Sequence, residues 1–175
     1  MNRTVRDGIY VIATAAAMAG AARLSYDLPP GPVPVTLQSL AVLLAGSILG
    51  PGRAVLAVLI YISAGAAGLP IFAGGHGGWQ RLTGPTGGYL LGFLPATVLT
   101  GWLAVRASDR TYRSALATLL GGHALIFLFG VSLLSRFTGG YNATVDGLLP
   151  FLPGAALKSL LGALLMLAWR RRPIS

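Results

Sequence analysis

The sequence predicts an all-α integral membrane protein, a single domain of six transmembrane helices across its 175 residues. Three observations lead there. Only 10% of the residues are charged while 54% are hydrophobic, against about 25% charged in an ordinary soluble domain. Apolar runs recur along the whole chain, separated by connections rich in proline and glycine. The arginines gather in alternate connections rather than in one patch. The net charge of +9 therefore reads as membrane topology, not as a nucleic-acid surface.

Spanning takes about 20 apolar residues, with a range of roughly 17–25. The first run covers 8–24. Arg3 and Arg6 precede it, as in a secretory leader, but equally apolar runs follow, so it is expected to be a first span. The run 37–49 is short and 51–67 is borderline, whereas 89–105, 115–134 and 153–169 have spanning length. A rival arrangement has four spans and a re-entrant hairpin made from the second and third runs. It would place Arg53, in the Gly50-Pro51-Gly52-Arg53 tip, inside the bilayer at a cost of at least a few kcal/mol. Six spans leave Arg53 in a tight cytoplasmic turn.

Charge sets the expected orientation. With the N-terminus inside, Arg3, Arg6, Arg53, Arg106, Arg110, Arg113, Arg170, Arg171 and Arg172 fall on the inner side, and Arg23, Arg81 and Arg136 on the outer side. Nine against three is a positive-inside bias that puts both termini in the cytoplasm. The acids do not discriminate: Asp7 and Asp109 fall inside, Asp27 and Asp146 outside. The absence of cysteine excludes disulfides and thiolate metal sites.

The connections on the outer side, 25–36, 68–88 and 135–152, hold most of the unusual residues. The central stretch reads GLPIFAGGHGGWQRLTGPTGGYLLGF, Gly68 to Phe93. Its glycines allow tight turns and close ligand approach, and its apolar and aromatic members argue against a solvated linker. One wall of a binding site is the expectation. The first outer connection, Asp27 to Gln38, carries four prolines that make it stiff and extended. Thr36 and Gln38 at its end read either as a helix cap with a surface glutamine or as a lid bearing an amide. The third holds Tyr141, Asn142 and Asp146; Asn142-Ala143-Thr144 is only a weak glycosylation match. Past Pro153-Gly154, Lys158 is expected in the second turn of the last helix. An intramembrane lysine is a functional-site candidate, unless its ammonium snorkels to the interface. His123 reads either as hydrogen-bonded within the bundle or as a ligand contact.

The first helix is rich in small residues, with Ala13/Ala17 and Ala15/Ala19 four apart. That spacing suits close helix packing, either within the protein or against another membrane subunit. Gly46/Gly50 and Gly88/Gly92 are read as internal packing pairs.

Enzymatic chemistry lacks material. There is no phosphate-binding GxxxxGK[ST] loop, no HExxH and no glutamate at all, and Gly75-His76-Gly77-Gly78 follows no strand. Ser63 with His123 is a weak basis for hydrolysis. The sequence is therefore read as no enzyme, with no catalytic residues, no metal and no cofactor. A small secondary transporter is the main alternative to a capture subunit, but no inverted repeat supports it.

Four stretches carry a family resemblance: Val33-Pro-Val-Thr-Leu-Gln38, Gly68-Leu-Pro-Ile-Phe-Ala-Gly-Gly75, Gly84-Pro-Thr-Gly-Gly-Tyr-Leu-Leu-Gly-Phe93, and Pro150-Phe-Leu-Pro-Gly154 followed by Lys158. In this order, over about residues 7 to 170, the chain resembles the BioY family, the biotin-binding S component of energy-coupling factor (ECF) transporters. The resemblance implies an S-component-like bundle in a bacterial plasma membrane, capturing biotin with high affinity from outside for uptake. It implies as partners a transmembrane coupling protein and two ABC-type ATPase subunits, beside membrane lipid. It further implies that Ala13, Ala15, Ala17 and Ala19 meet the coupling protein. The resemblance and the chemistry of biotin together give the expected ligand-binding set: Lys158, Tyr89, Gln38, Phe72, His76, Trp79, Thr86, Gly87, Tyr141, Asn142 and Asp146. The chemistry of biotin fits these residues. Gln38, Asn142 or Asp146 suits the ureido group, Phe72, Trp79, Tyr89 and Tyr141 the rings, and Lys158 or Arg81 the carboxylate. One departure stands out: Ala155 occupies the place of a family aspartate that contacts ligand.

Overall fold

The computed structural model describes residues 2–27, 31–106 and 111–170, the last without its side chain. Asp109, Arg110, Arg171 and Arg172 of the charge count, and Leu28-Pro29-Pro30 of the first outer connection, lie outside the described residues. Six helices occupy the apolar runs: α1 (Arg3–Arg23), α2 (Gln38–Leu49), α3 (Pro51–Ala66), α5 (Gly87–Arg106), α6 (Tyr112–Thr138) and α8 (Leu152–Arg170). Between them lie the hairpin β1 (Ser25–Asp27) with β2 (Pro34–Thr36), the single turn α4 (Gln80–Thr83) and the short helix α7 (Gly140–Gly147).

Three segments, Gly87–Arg106, Tyr112–Thr138 and Gly140–Trp169, are long and apolar enough to cross a membrane by length and composition. The helices α2 and α3 are apolar but shorter. The outward surface matches a bilayer. Ile12, Leu56, Leu59, Leu91, Val98, Leu128, Leu161 and Leu164 are all exposed on helix flanks, far more apolar surface than a soluble monomer leaves uncovered.

The helices run between two ends. At one end Asp7 of α1 pairs with Arg53 at 3.1 Å, so the start of α1 and the α2–α3 turn lie together. Gly50 makes that turn at φ 80°, a left-handed backbone that glycine accepts without penalty, and Pro51 opens α3 where no amide proton is needed. At the other end the Arg23 guanidinium donates to Pro70 O at 2.7 Å, tying the end of α1 to the Gly68–Gly88 connection. With about 1.5 Å of rise per residue, the 21 residues of α1 are about as long as the hydrocarbon of a bilayer is thick.

Helix α5 is central, packed on α6, α2 and α3, with α1 on α3 and α8 on α6. Missing side chains make these contacts close. A Cβ at Gly88 or Gly92 would strike the backbone of α6, and one at Gly46 would strike Thr97 and Thr100 of α5. In lipid, such packing rather than hydrophobic expulsion holds helices together. Gly46, Gly88 and Gly92 thus pack internally, whereas Gly50 serves the turn.

The structure corrects several expectations. The fold is helical but includes a hairpin, in which Tyr26 pairs with Val35 and Asp27 with Pro34; the proline-rich connection is folded back, not simply extended. The connection 135–152 is not a loop. Helix α6 runs on to Thr138, and α7 with a 3₁₀ turn at Leu149–Phe151 fills the rest. On α1, Ala15 is buried and Ala19 packs against the core, while Ala13 and Ala17 are exposed. The expected four-residue face therefore splits, because 13 and 15 stand about 200° apart around a helix. Ala15 is taken up inside the bundle and Ala19 is half-buried against it, which leaves Ala13 and Ala17 as the outward pair.

Candidate functional site

A cavity opens at the end of the bundle that carries the hairpin and the Gly68–Gly88 connection. With its open mouth included it measures about 970 Å³. Two kinds of wall enclose it. One is helical: Tyr89, Leu90 and Phe93 from α5, His123, Ile126 and Phe127 from α6, and Lys158 from α8. The other comes from connections: Asp27 and Thr36 of the hairpin, Phe72, Gly74, His76, Arg81 and Thr86. Gln38 and Ser39, at the start of α2, join the two.

The aromatic walls depend on glycines behind them. A Cβ at Gly65 would collide with the Phe72 ring, and one at Gly130 with the Tyr89 ring. Phe72 meets Tyr61 edge-on with centroids 5.5 Å apart, and Tyr89 lies 6.4 Å from Phe151. The Tyr89 hydroxyl donates to Gly147 O at 2.7 Å, anchoring α7 to α5. The Gly-rich connection is folded by its own backbone: Phe72 N–H donates to His76 O at 2.9 Å, and Gly78 N–H to Gly65 O at 2.7 Å.

Gln38 is buried at 3% exposure, not a surface residue. Its Nε2 donates to the Tyr61 hydroxyl at 2.8 Å, and that hydroxyl donates to Ile71 O at 3.0 Å. A carbonyl only accepts, so the tyrosine proton is committed and Gln38 must present its NH₂ to the phenol. The Gln38 carbonyl oxygen and the second amide N–H are what remain to meet a ligand. Lys158 Nζ donates to Thr36 O at 3.1 Å and to Ser39 Oγ at 2.8 Å. The ammonium is turned into the bundle, not snorkelled to its edge. Among the described residues these two acceptors are neutral, so one of its three N–H bonds and its whole charge remain for a ligand.

Residues 1–174 match the profile of the BioY family. The chain belongs to the BioY family. Among its relatives, the biotin transporter BioY of Rhizobium etli is 37% identical over 142 residues, covering 77% of this chain and 76% of the relative. The biotin transporter BioY of Thermotoga maritima is 35% identical over 172 residues, covering 98% and 97%. A crystal structure of the S-component for biotin from an ECF-type ABC transporter superposes with a TM-score of 0.87 at 25% identity, over 99% of this chain and 96% of that one. The family and these relatives are transporters.

Within this BioY chain, the cavity brings together Lys158, Tyr89, Gln38, Phe72, His76 and Thr86 of the expected ligand set, and Arg81 with them. It does not bring in the rest. Trp79 is 65% exposed and Tyr141 81% exposed, both turned outward. Asn142 donates back to Thr138 O at 3.0 Å. Asp146 shares α7 with them, away from the walls, and Gly87 packs against Leu82 O behind Thr86. For Tyr141, Asn142 and Asp146 the reason is α7: a helix where a loop was expected turns these side chains away from the cavity. Ala155 is buried at 4% and also stands off the walls.

Sequence reasoning missed Asp27, Ser39, Phe93, Phe127 and Phe151 and left His123 open. Phe93 and Phe127 carried a usable signal, since each lies four residues after another wall residue, Tyr89 and His123, on the same helix face. Asp27 and Ser39 carried none.

Proposed function

We propose that this chain is the substrate-specific subunit of an ECF-type ABC transporter, capturing biotin at its outer side for uptake. The observation that carries this reading is the cavity itself. A lysine with neutral partners and a free glutamine carbonyl sit among aromatic rings, in a chain of a biotin-transporter family. Biotin has two ureido N–H donors, an apolar bicycle and a carboxylate tail. The Gln38 carbonyl suits a ureido N–H, Phe72, Tyr89 and Phe93 suit the bicycle, and the Lys158 ammonium suits the tail. Arg81, on the connection-built wall, favours a second pose, in which Arg81 takes the tail and Lys158 the ureido oxygen. Trp79, Tyr141, Asn142, Asp146 and Gly87 play no part in either pose.

The same reading takes α1, α2, α3, α5, α6 and α8 as six spans of one domain, with both termini cytoplasmic. Supporting it are the arginine bias, the Asp7–Arg53 pair at one end and the cavity at the other. A transmembrane coupling protein and two ATPase subunits complete the transporter, the first docking on the outward face of α1 at Ala13 and Ala17. Equilibrium binding of labelled biotin to the purified protein tests the reading. Saturable binding, displaced by unlabelled biotin, is expected; its absence overturns the assignment.

A further inference from the structure

Lys158 sits at the head of a hydrogen-bonded chain that leads away from the cavity. Its Nζ donates to Ser39 Oγ at 2.8 Å. Ser39 Oγ lies 3.3 Å from Nε2 of His123, and Nδ1 of His123 lies 3.1 Å from Leu119 O and 3.0 Å from Ser159 Oγ. His123 is 3% exposed. Leu119 O can only accept and so calls for the proton on Nδ1, whereas Ser159 Oγ can take either role. With Nδ1–H shared between them, the assignment we adopt, Nε2 keeps the lone pair that receives the Ser39 hydroxyl. A doubly protonated ring would set two cations on either side of one oxygen, a repulsive arrangement in a weakly screened interior. Every donor in the chain therefore points the same way, from the ammonium through Ser39 and His123 to the α6 backbone.

We propose that His123, acting through Ser39, is a positioning residue for Lys158. It supplies the electron pair that orders the serine hydroxyl, so that the serine turns a lone pair, not its proton, toward the ammonium. An ammonium without a carboxylate partner is thereby held charged and aimed, with its last N–H toward the ligand. Aligned chains of this kind polarise one another. The inference rests on the biotin reading of the cavity, and holds for either pose, because it concerns Lys158 and not the end of biotin it meets.

The test separates the two ring nitrogens. In His123→Gln the side-chain amide oxygen reaches the place of Nε2 and keeps the acceptor for Ser39. In His123→Asn the amide reaches only the place of Nδ1, keeping the bond to Leu119 O and losing the acceptor. Biotin titrations on the purified protein should give the Gln variant within about twofold of the parent and the Asn variant about three- to tenfold weaker. In a Lys158→Met background, Asn should cost nothing further. Equal losses for Gln and Asn, or the same Asn loss without Lys158, overturn the proposal and make His123 a packing group or a direct contact. A ligand-free measurement stands beside this. The chain has two histidines, so ¹⁵N-histidine spectra of the protein and its His76→Ala variant isolate His123. Protonated Nδ1 and bare Nε2 are expected, with the Nε2 resonance moving in Lys158→Met. A protonated Nε2, or no movement, overturns the role of His123 whether or not biotin binds. Absent biotin binding with the expected spectra overturns the cavity reading instead.

Discussion

The cavity and the outward face of α1 are made of opposite materials. The cavity gathers the large and the polar: Lys158, His123, Gln38, Tyr89 and Phe72 all line it. The face of α1 offers Ala13, Ala16, Ala17 and Gly20, exposed and with little to hydrogen-bond; a Cβ at Gly20 would meet nothing within 4 Å. A polar group at bilayer depth is costly unless satisfied, and the amide and the ammonium of the cavity come with neighbours: Tyr61 behind Gln38, Ser39 and His123 behind Lys158. Docking between helices needs only closeness, and small residues supply it alone. The two regions also stand apart, since α1 turns Ala15, Met18 and Ala22, not Ala13 and Ala17, toward the core. Binding and assembly should therefore be separable by mutation.

The largest effect is expected at Lys158. A charge-assisted hydrogen bond is worth about 1.5–3 kcal/mol, and more when desolvated. Lys158→Ala should weaken biotin binding by roughly tenfold to a few hundredfold, while co-purification with the coupling protein is unchanged. Biotinamide, which lacks the tail's charge, should lose much less. Equal losses for acid and amide would move Lys158 to the ureido oxygen and give Arg81 the tail. Loss of assembly would break the separation itself.

The second expected effect is on the connection-built wall. In Gly65→Leu the new side chain occupies the space of the Phe72 ring, which must then leave its seat against Tyr61. Affinity for biotin should fall by about tenfold, the scale of losing one buried aromatic contact and its edge-on partner. Circular dichroism should report the helices intact. Full affinity in this variant would show that Phe72 is not a wall that biotin uses.

On the other side of the comparison, Ala17→Trp should lower the yield of co-purified coupling protein several-fold and leave biotin affinity within about twofold, the scatter expected of a surface change. Ala15→Trp is the contrast: overpacking a site at 8% exposure should lower thermal stability by about 1–3 kcal/mol. Should Ala17→Trp impair binding and spare assembly, the outward face is not the docking face.

Much of this architecture could be read from the chain because membrane helices announce themselves by apolar length. The six helices lie within a few residues of the runs, with the largest offsets at the start of α1 and the end of α6. What escaped were elements with no period to read. Each strand of the hairpin has three residues and is rich in turn formers. The helix α7 is entered through two glycines, Gly139 as its cap and Gly140 as its first residue, that in sequence look like a loop. The site divides along the same line. Lys158, Gln38 and Tyr89 stand out as polar or aromatic residues at helix ends, and helix geometry carries them to the cavity. Tyr141, Asn142 and Asp146 have suitable chemistry, but their direction depends on a helix that composition does not reveal. Ser39 was invisible for another reason: a serine near a helix start reads as a cap, and only the fold brings Lys158 to it across 119 residues.

The smallest effect, and the one whose sign decides most, is expected at Ala155. The residue is buried, one turn before Lys158 on α8. A carboxylate there has the ammonium as a neighbour at i+3, close enough to pair, and burial makes pairing the route by which it avoids an uncompensated charge. In Ala155→Asp, Lys158 should therefore share its charge with Asp as well as with Ser39. If the tail of biotin is the ligand of the ammonium, the two carboxylates compete and biotin binding weakens, by less than about tenfold because Ser39 and Thr36 still hold Nζ in place. Biotinamide, with no charge to compete, should bind as before or better. The opposite result, tighter biotin, is what the reversed pose requires: there the new acid accepts a ureido N–H while Lys158 donates to the ureido oxygen. Isothermal titration of the acid and the amide against this one variant thus distinguishes the two poses without removing any group now present in the cavity.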